Sequence, residues 1–322
     1  MVKEIVLLEE IEKHGNGYFN CFSWKIVSYL HSCNYPINRL FYRAYEHPLK
    51  IYNHCVVHRY EPWEYNDDVV SNENLQSFGI TYKSIKNHTF IDVFNLIKDR
   101  INSGEIIFIN LDSFYLHHRK KEFKQEHLTH WGIVSGYKCT SNNKVSFKII
   151  DDQSNAIGNF IAHEYDYETL EVAYNKSNKL AGYLVYEQIK SANAEVILTH
   201  AKEYFMQLED SFDIYNKLTS LLVEDINLNK SENRFRNISD FFSVISFSRF
   251  LLYMFLKEYN ILIGVQQELK ELSEKTKLLR NLFLKGSYTN TLNINNCILK
   301  IDEVARLDKQ IFESIKSYFK NL

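Results

Sequence analysis

The hydrophobic period of this chain changes near Lys190, and that change limits what it can fold into. Upstream, short apolar runs alternate with turn signals; downstream, apolar residues recur at three- and four-residue spacing over many turns. The last stretch shows this openly, with Ile294, Ile298, Ile301, Ala305, Ile311, Ile315 and Phe319 on one helical face. Helices are expected over 194–209, 212–227, 238–259, 261–285 and 294–319, which with short connections make an all-α bundle. Before Lys190, strands are expected over 79–85, 105–111, 130–137, 145–150 and 182–189. Helices are expected over 21–30, 90–103 and 166–174, with irregular chain over 37–75 that holds one short helix around Pro36 to Arg43, and a loop over 155–159. The predicted fold class is α+β with an antiparallel sheet over 1–190, followed by a helical domain over 191–322. Two domains suit a length of 322 residues.

Charge and cysteine usage narrow the function. The net charge of -2, with no long basic run, argues against a nucleic-acid partner. Five cysteines form no CxxC pair, which predicts reduced thiols and a cytoplasmic location. The apolar run Ile5 to Leu8 is too short for a signal-peptide core. The most membrane-like window, 238–256, carries Asp240 and Arg249. Its Ser239, Ser243, Ser246 and Arg249 share one side, which predicts an amphipathic helix and no membrane span.

The chemistry gathers around His127-Leu128-Thr129-His130-Trp131-Gly132, where a histidine stands at the mouth of an apolar strand. The next strong strand, from Val145 to Ile150, runs into Asp151 and Asp152. Adjacent antiparallel strands joined by a turn bring such ends together. Cys21 follows Asn20, a plausible N-cap, and so falls in the first turn of a helix, where the dipole and free N–H groups favour a thiolate. Meeting in space, the three would act as nucleophile, base and orienting acid. The backbone N–H of Cys21, helped by Asn16 or Asn20, would hold an oxyanion. Against this stands the plain reading of a helical cysteine as a small buried hydrophobe. His54, Cys55 and His58 lack a second ligand pair at a known spacing, so no metal is expected. Trp24 and Trp131 flank the proposed catalytic residues, as groove walls or as core.

Four segments carry a family resemblance: Cys21-Phe22-Ser23, Gly104 through Tyr115, His130 through Tyr137, and Ile149-Ile150-Asp151. In this order, over roughly residues 8–188, they resemble the N-terminal domain of the butirosin biosynthesis protein H family, which is similar in fold to papain-like cysteine peptidases. The resemblance implies an acyltransferase of secondary-metabolite, antibiotic-type biosynthesis. An acyl group would leave a carrier-protein thioester, pass through Cys21 and reach a small amine. His130 matches the base and Asp151 the orienting acid, with Asp152 in its place if the strand register is shifted by one. Asp112 and Tyr115 match a segment near the substrate groove. The partner would be an acyl carrier protein or peptidyl carrier domain bearing phosphopantetheine, and the chain would need no cofactor of its own. Two features depart from the family: the basic insertion Arg119-Lys120-Lys121-Glu122-Phe123-Lys124, and the lack of a glutamine upstream of Cys21. His118, Arg119, Lys120, Lys121 and Lys124 read first as a solvated loop and second as a carrier contact. The alternatives are a cysteine peptidase or amidase on the same residues, or a catalytically silent binding or scaffold protein.

Overall fold

The structure, a computed structural model, describes residues 18–140, 144–153, 156–187, 194–209, 212–228, 232–289 and 291–322. The chain forms two compact units. One contains Cys21–Tyr35 and Phe78–Lys190; the other contains Pro36–Ser77, Ser191–Leu322 and the residues immediately before Cys21. The expected single boundary at 190 therefore misses a crossing: residues 36–77 lie with the helical unit. Their apolar side chains, including Leu40, Phe41, Tyr42 and Tyr45, are buried there rather than against the sheet.

In the first unit, α1 (Cys21–Ser32) precedes β1 (Ile80–Lys86), α2 (Phe90–Asn102), β2 (Ile107–Asp112), β3 (Thr129–Cys139), β4 (Val145–Gln153), β5 (Ala156–Asp166), α3 (Tyr167–Asn175) and β6 (Leu180–Tyr186). Helix α2 starts where Thr89 accepts from the Asp92 N–H while Asp92 reaches back to the Thr89 N–H, a capping box. It ends before Gly104, whose φ of +81° is the left-handed conformation glycine adopts without strain. The strands form one antiparallel sheet in the order β1-β6-β2-β3-β4-β5.

Alternation along the strands gives this sheet two different faces. Ile107, Ile109, Leu111, Val134, Phe147, Ile149 and Tyr165 pack against Phe90, Val93, Phe94 and Ile97 of α2 and Leu170 and Ala173 of α3. Full burial of each large apolar side chain here stabilises by about 1.5–3 kcal/mol. The opposite face meets α1, whose Phe22 ring lies 4.8 Å from Tyr82, 6.0 Å from Phe108 and 4.6 Å from Trp131, centroid to centroid. Gly182 admits the Tyr82 ring to this layer: a Cβ there would come 2.4 Å from the phenolic oxygen.

Strand β5 corrects the expectation of a loop over 155–159. It lies at the sheet edge, beside β4 alone, and its first turn-type residues, Gly158 and Asn159, carry a loop signal that the pairing with β4 overrides.

The second unit is helical. It holds short turns over Ile37–Ala44, Pro48–Tyr52 and Asn72–Gln76, then α4 (Ala194–Gln207), α5 (Asp213–Leu228), α6 (Glu232–Glu258), α7 (Ile263–Thr289) and α8 (Ile294–Asn321). Among the described residues one helix, over Arg234–Glu258, is long and apolar enough to cross a membrane, and 83% of its most apolar window is buried inside the protein. Three residues of its expected polar side are bonded inside the protein. Ser239 donates to the Arg280 carbonyl, Ser246 to the Ser273 carbonyl, and Arg249 is ion-paired with Asp308. Ser243, on the same side, is half-buried.

Candidate active site

Cys21 opens α1 and is partly exposed, and Lys25 follows one turn later on the same side of the helix. Register brings the other members together. Leu111 pairs with His130, and Ile133 pairs with Ile150, so the next steps along β3 and β4 bring His130 and Asp151 onto one face at the sheet end. His130 Nε2 donates to Asp151 Oδ1 at 2.8 Å and stands 3.6 Å from Asp152 Oδ1. With Nε2 engaged, Nδ1 is the nitrogen left for the Cys21 sulfur, which is hydrogen-bonded to His130 and to the backbone of Trp131.

Asp151 is fully buried and heavily bonded. Oδ1 also accepts from the Asp152 N–H at 2.9 Å and lies 2.9 Å from Lys25 Nζ, while Oδ2 accepts from His118 Nε2 at 2.8 Å. Asp152 Oδ1 lies 3.1 Å from the same ammonium. The Arg119 guanidinium donates to the Asp152 carbonyl at 3.4 Å and stands 3.9 Å from its carboxylate. Unit charges 4 Å apart interact by about 4 kcal/mol at an effective dielectric near 20. Two neighbouring buried carboxylates therefore stay ionised only with cations beside them, and Lys25, 1% exposed, supplies the nearest.

The proton affinities follow. Burial alone would raise the Cys21 thiol, but the His130 hydrogen bond and charge, the Lys25 charge and the Trp131 backbone together bring it below an ordinary thiol. For His130, burial and the Lys25 charge oppose protonation. The charge and hydrogen bond of Asp151, helped by Asp152, outweigh them and push the imidazole up to about 10. Asp151 is held well below the usual carboxylate range: burial works against this, and His130, Lys25 and His118 overcome it. The arrangement favours a thiolate–imidazolium pair, the reactive form of a cysteine nucleophile.

These directions set a pH profile for labelling. A lowered thiol pKa means more thiolate at any given pH, so iodoacetamide should alkylate Cys21 with a midpoint below that of a small-molecule thiol. A second inflection is expected near pH 10, where the raised imidazolium loses its proton and the thiolate loses its counter-ion. Alkylation rates on the wild type, followed by peptide mass mapping from pH 4 to 11, check both; one midpoint at the ordinary thiol position contradicts the pair.

Other predicted residues take different posts. Asp112 is 2% exposed, with Oδ2 bonded to His127 Nδ1 at 2.7 Å and Oδ1 accepting from the Phe114 N–H at 3.0 Å. These bonds close the neck of the segment between β2 and β3. Tyr115 packs against the core cluster beside Phe114. Trp24 is buried, whereas Trp131 is half-buried against Phe22. The Asn20 amide donates to the Tyr65 carbonyl at 3.2 Å, and Asn16 lies outside the described residues. His54 Nε2 bonds the Glu61 carbonyl at 2.9 Å and Cys55 is fully buried, which ties both to packing.

Sequence reasoning missed Lys25 and misread His118. A lysine between Trp24 and Ile26, one turn from Cys21, demands a buried anion, and Asp151-Asp152 offers two; that signal was present. His118 belongs to the insertion read as solvated, yet it is bonded to Asp151 and Tyr165 and stacks on His163 at 4.0 Å. Nothing local marks that role. His130, Asp151 and Asp152 place three metal-type ligand atoms within 4.8 Å of one another. The Lys25 ammonium lies where a cation would be drawn, so the donor set is already neutralised by the chain's own charge.

No family model matches the chain. It is similar to a ribostamycin:4-(gamma-L-glutamylamino)-(S)-2-hydroxybutanoyl-[BtrI acyl-carrier protein] 4-(gamma-L-glutamylamino)-(S)-2-hydroxybutanoate transferase of Niallia circulans, 27% identical over 127 residues. The match spans 39% of this chain and 42% of that relative, so less than half of either protein is compared. This similarity bears out the resemblance to the butirosin biosynthesis protein H family.

Proposed function

We propose that this chain is an acyltransferase that takes an acyl group from the phosphopantetheine thioester of an acyl carrier protein or peptidyl carrier domain. The acyl group passes through Cys21 to a small amine in secondary-metabolite assembly. The observation that carries the reading is the hydrogen-bonded series Cys21, His130 and Asp151, with its lowered thiol, in a chain similar to a carrier-protein-dependent transferase. In the first half-reaction the Cys21 thiolate attacks the thioester carbonyl, the carbon–sulfur bond to pantetheine breaks, and the departing thiolate takes the His130 proton. In the second, the amine attacks the Cys21 thioester, His130 accepts the amine proton, and Cys21 leaves as thiolate. The Cys21 backbone N–H, free at the helix start, is the proposed oxyanion donor. Asp151 keeps the His130 ring turned toward the sulfur. A reducing, cytoplasmic setting suits a free nucleophilic thiol, and all five cysteines are unpaired.

Intact-mass spectrometry after mixing with an acyl-pantetheine thioester is expected to show one acyl adduct on the wild type and none on Cys21→Ala. Adding a primary amine should discharge the adduct as an amide. Release of free acid alone, whatever amine is supplied, would identify a hydrolase; absence of an adduct with turnover intact would overturn the covalent route.

A further inference from the structure

Beside the catalytic residues lies a buried cation to which acyl transfer assigns no step. Lys25 is 1% exposed and its ammonium contacts two carboxylates, those of Asp151 and Asp152. Its Nζ also stands 3.4 Å from His130 Nε2. Nε2 spends its hydrogen on Asp151, so this contact is not a hydrogen bond but two cations sharing one carboxylate oxygen. The groups facing the ammonium come from every neighbouring element: Cys21 from one turn back on α1, His130 on β3, Asp151 and Asp152 on β4, and the Phe160 ring of β5 at 5.9 Å. His118 holds the far oxygen of Asp151, and Arg119 approaches Asp152. In the ion-pair state Cys21, Asp151 and Asp152 are negative and His130 and Lys25 positive, while Arg119 is shared between Asp152 and Glu122, 3.9 and 3.5 Å away. Lys25 is thus the cation that directly bridges the two carboxylates.

We propose that Lys25 is a positioning residue whose ammonium clamps Asp151 and Asp152 together and, as a like charge beside Nε2, keeps the His130 imidazolium ready to release its proton. Without it, the two carboxylates would hold that proton more firmly, against its passage to a leaving thiolate. The inference rests on the acyl-transfer reading only in naming the proton's destination. Its test uses no acyl donor, so failure of one leaves the other standing.

The test is an NMR pH titration of 15N-histidine-labelled protein, with the His130 signal assigned by His130→Ala. Lys25→Met removes the like charge and is expected to move the His130 midpoint upward by about one pH unit or more. Alkylation of Cys21 should move in the same direction, because the thiolate loses a cation. Asp152→Asn removes an anion and should move His130 downward. The double variant, Lys25→Met with Asp152→Asn, restores the balance and should titrate close to wild type. A folded Lys25→Met protein with both midpoints unchanged overturns the proposal. If Lys25→Met alone does not fold, Asp152→Asn and the double variant decide: equal His130 midpoints in those two overturn it, and a higher one in the double variant supports it. A lysine that only filled space would move neither titration.

Discussion

Replacing His130 by alanine is expected to slow acylation of Cys21 by about 10²–10⁴-fold, the usual contribution of a general acid–base group. The change removes the proton donor for the departing thiol and the counter-ion that lowers the Cys21 pKa. Burial then dominates at the sulfur, so the thiol becomes harder to ionise and the acylation profile should move toward alkaline pH. The fold should survive, because Asp151 keeps Lys25 at 2.9 Å, His118 at 2.8 Å and the Asp152 N–H at 2.9 Å. Single-turnover adduct formation, followed by mass against pH, measures this. An unchanged rate in a folded His130→Ala protein would remove His130 from the mechanism.

The second large effect lies in the helical unit. Arg249 and Asp308 are both fully buried and joined by two hydrogen bonds, Nε to Oδ1 at 2.8 Å and Nη2 to Oδ2 at 2.9 Å. The guanidinium also donates to the Glu46 carbonyl at 3.1 Å and stacks 3.7 Å from the Tyr45 ring centre, while the Tyr215 hydroxyl donates to Asp308 at 2.8 Å. Removing one partner leaves the other charge buried without compensation, so Arg249→Met should cost about 3–5 kcal/mol of stability. Arg249→Met with Asp308→Leu removes both charges and should recover much of that loss, since two charges no longer need desolvating. Urea denaturation followed by far-UV circular dichroism distinguishes the cases. A double variant as unstable as the single would show that lost packing, not the orphaned charge, sets the cost.

Local pattern determined a good deal of this protein. The change of period near Lys190 marked an α+β region followed by helices, because the spacing of apolar residues is set by which face an element buries. His130 opening a strand and Asp151 closing the next were legible for the same reason: strand alternation and a short connection decide which ends meet. The start of strand β5 was not legible, since Gly158 and Asn159 carry a turn signal and only pairing with β4 makes that stretch a strand. Residues 36–77 gave no sign that they pack with the helices, because their short turns have no period of their own. The partners of Asp112, His127 and the Phe114 N–H, were likewise not legible, because they depend on how the segment after β2 folds back.

The Cys21 helix start was readable, but the state of its sulfur was decided by tertiary structure. That state depends on charges from α1, β3, β4 and the insertion meeting in one buried volume. Lys25 could be seen as a lysine in an apolar helix, and His118 as part of a basic loop. Only the folded chain brings both to Asp151, because Coulomb interactions between buried groups depend on distance in space and not on separation along the chain.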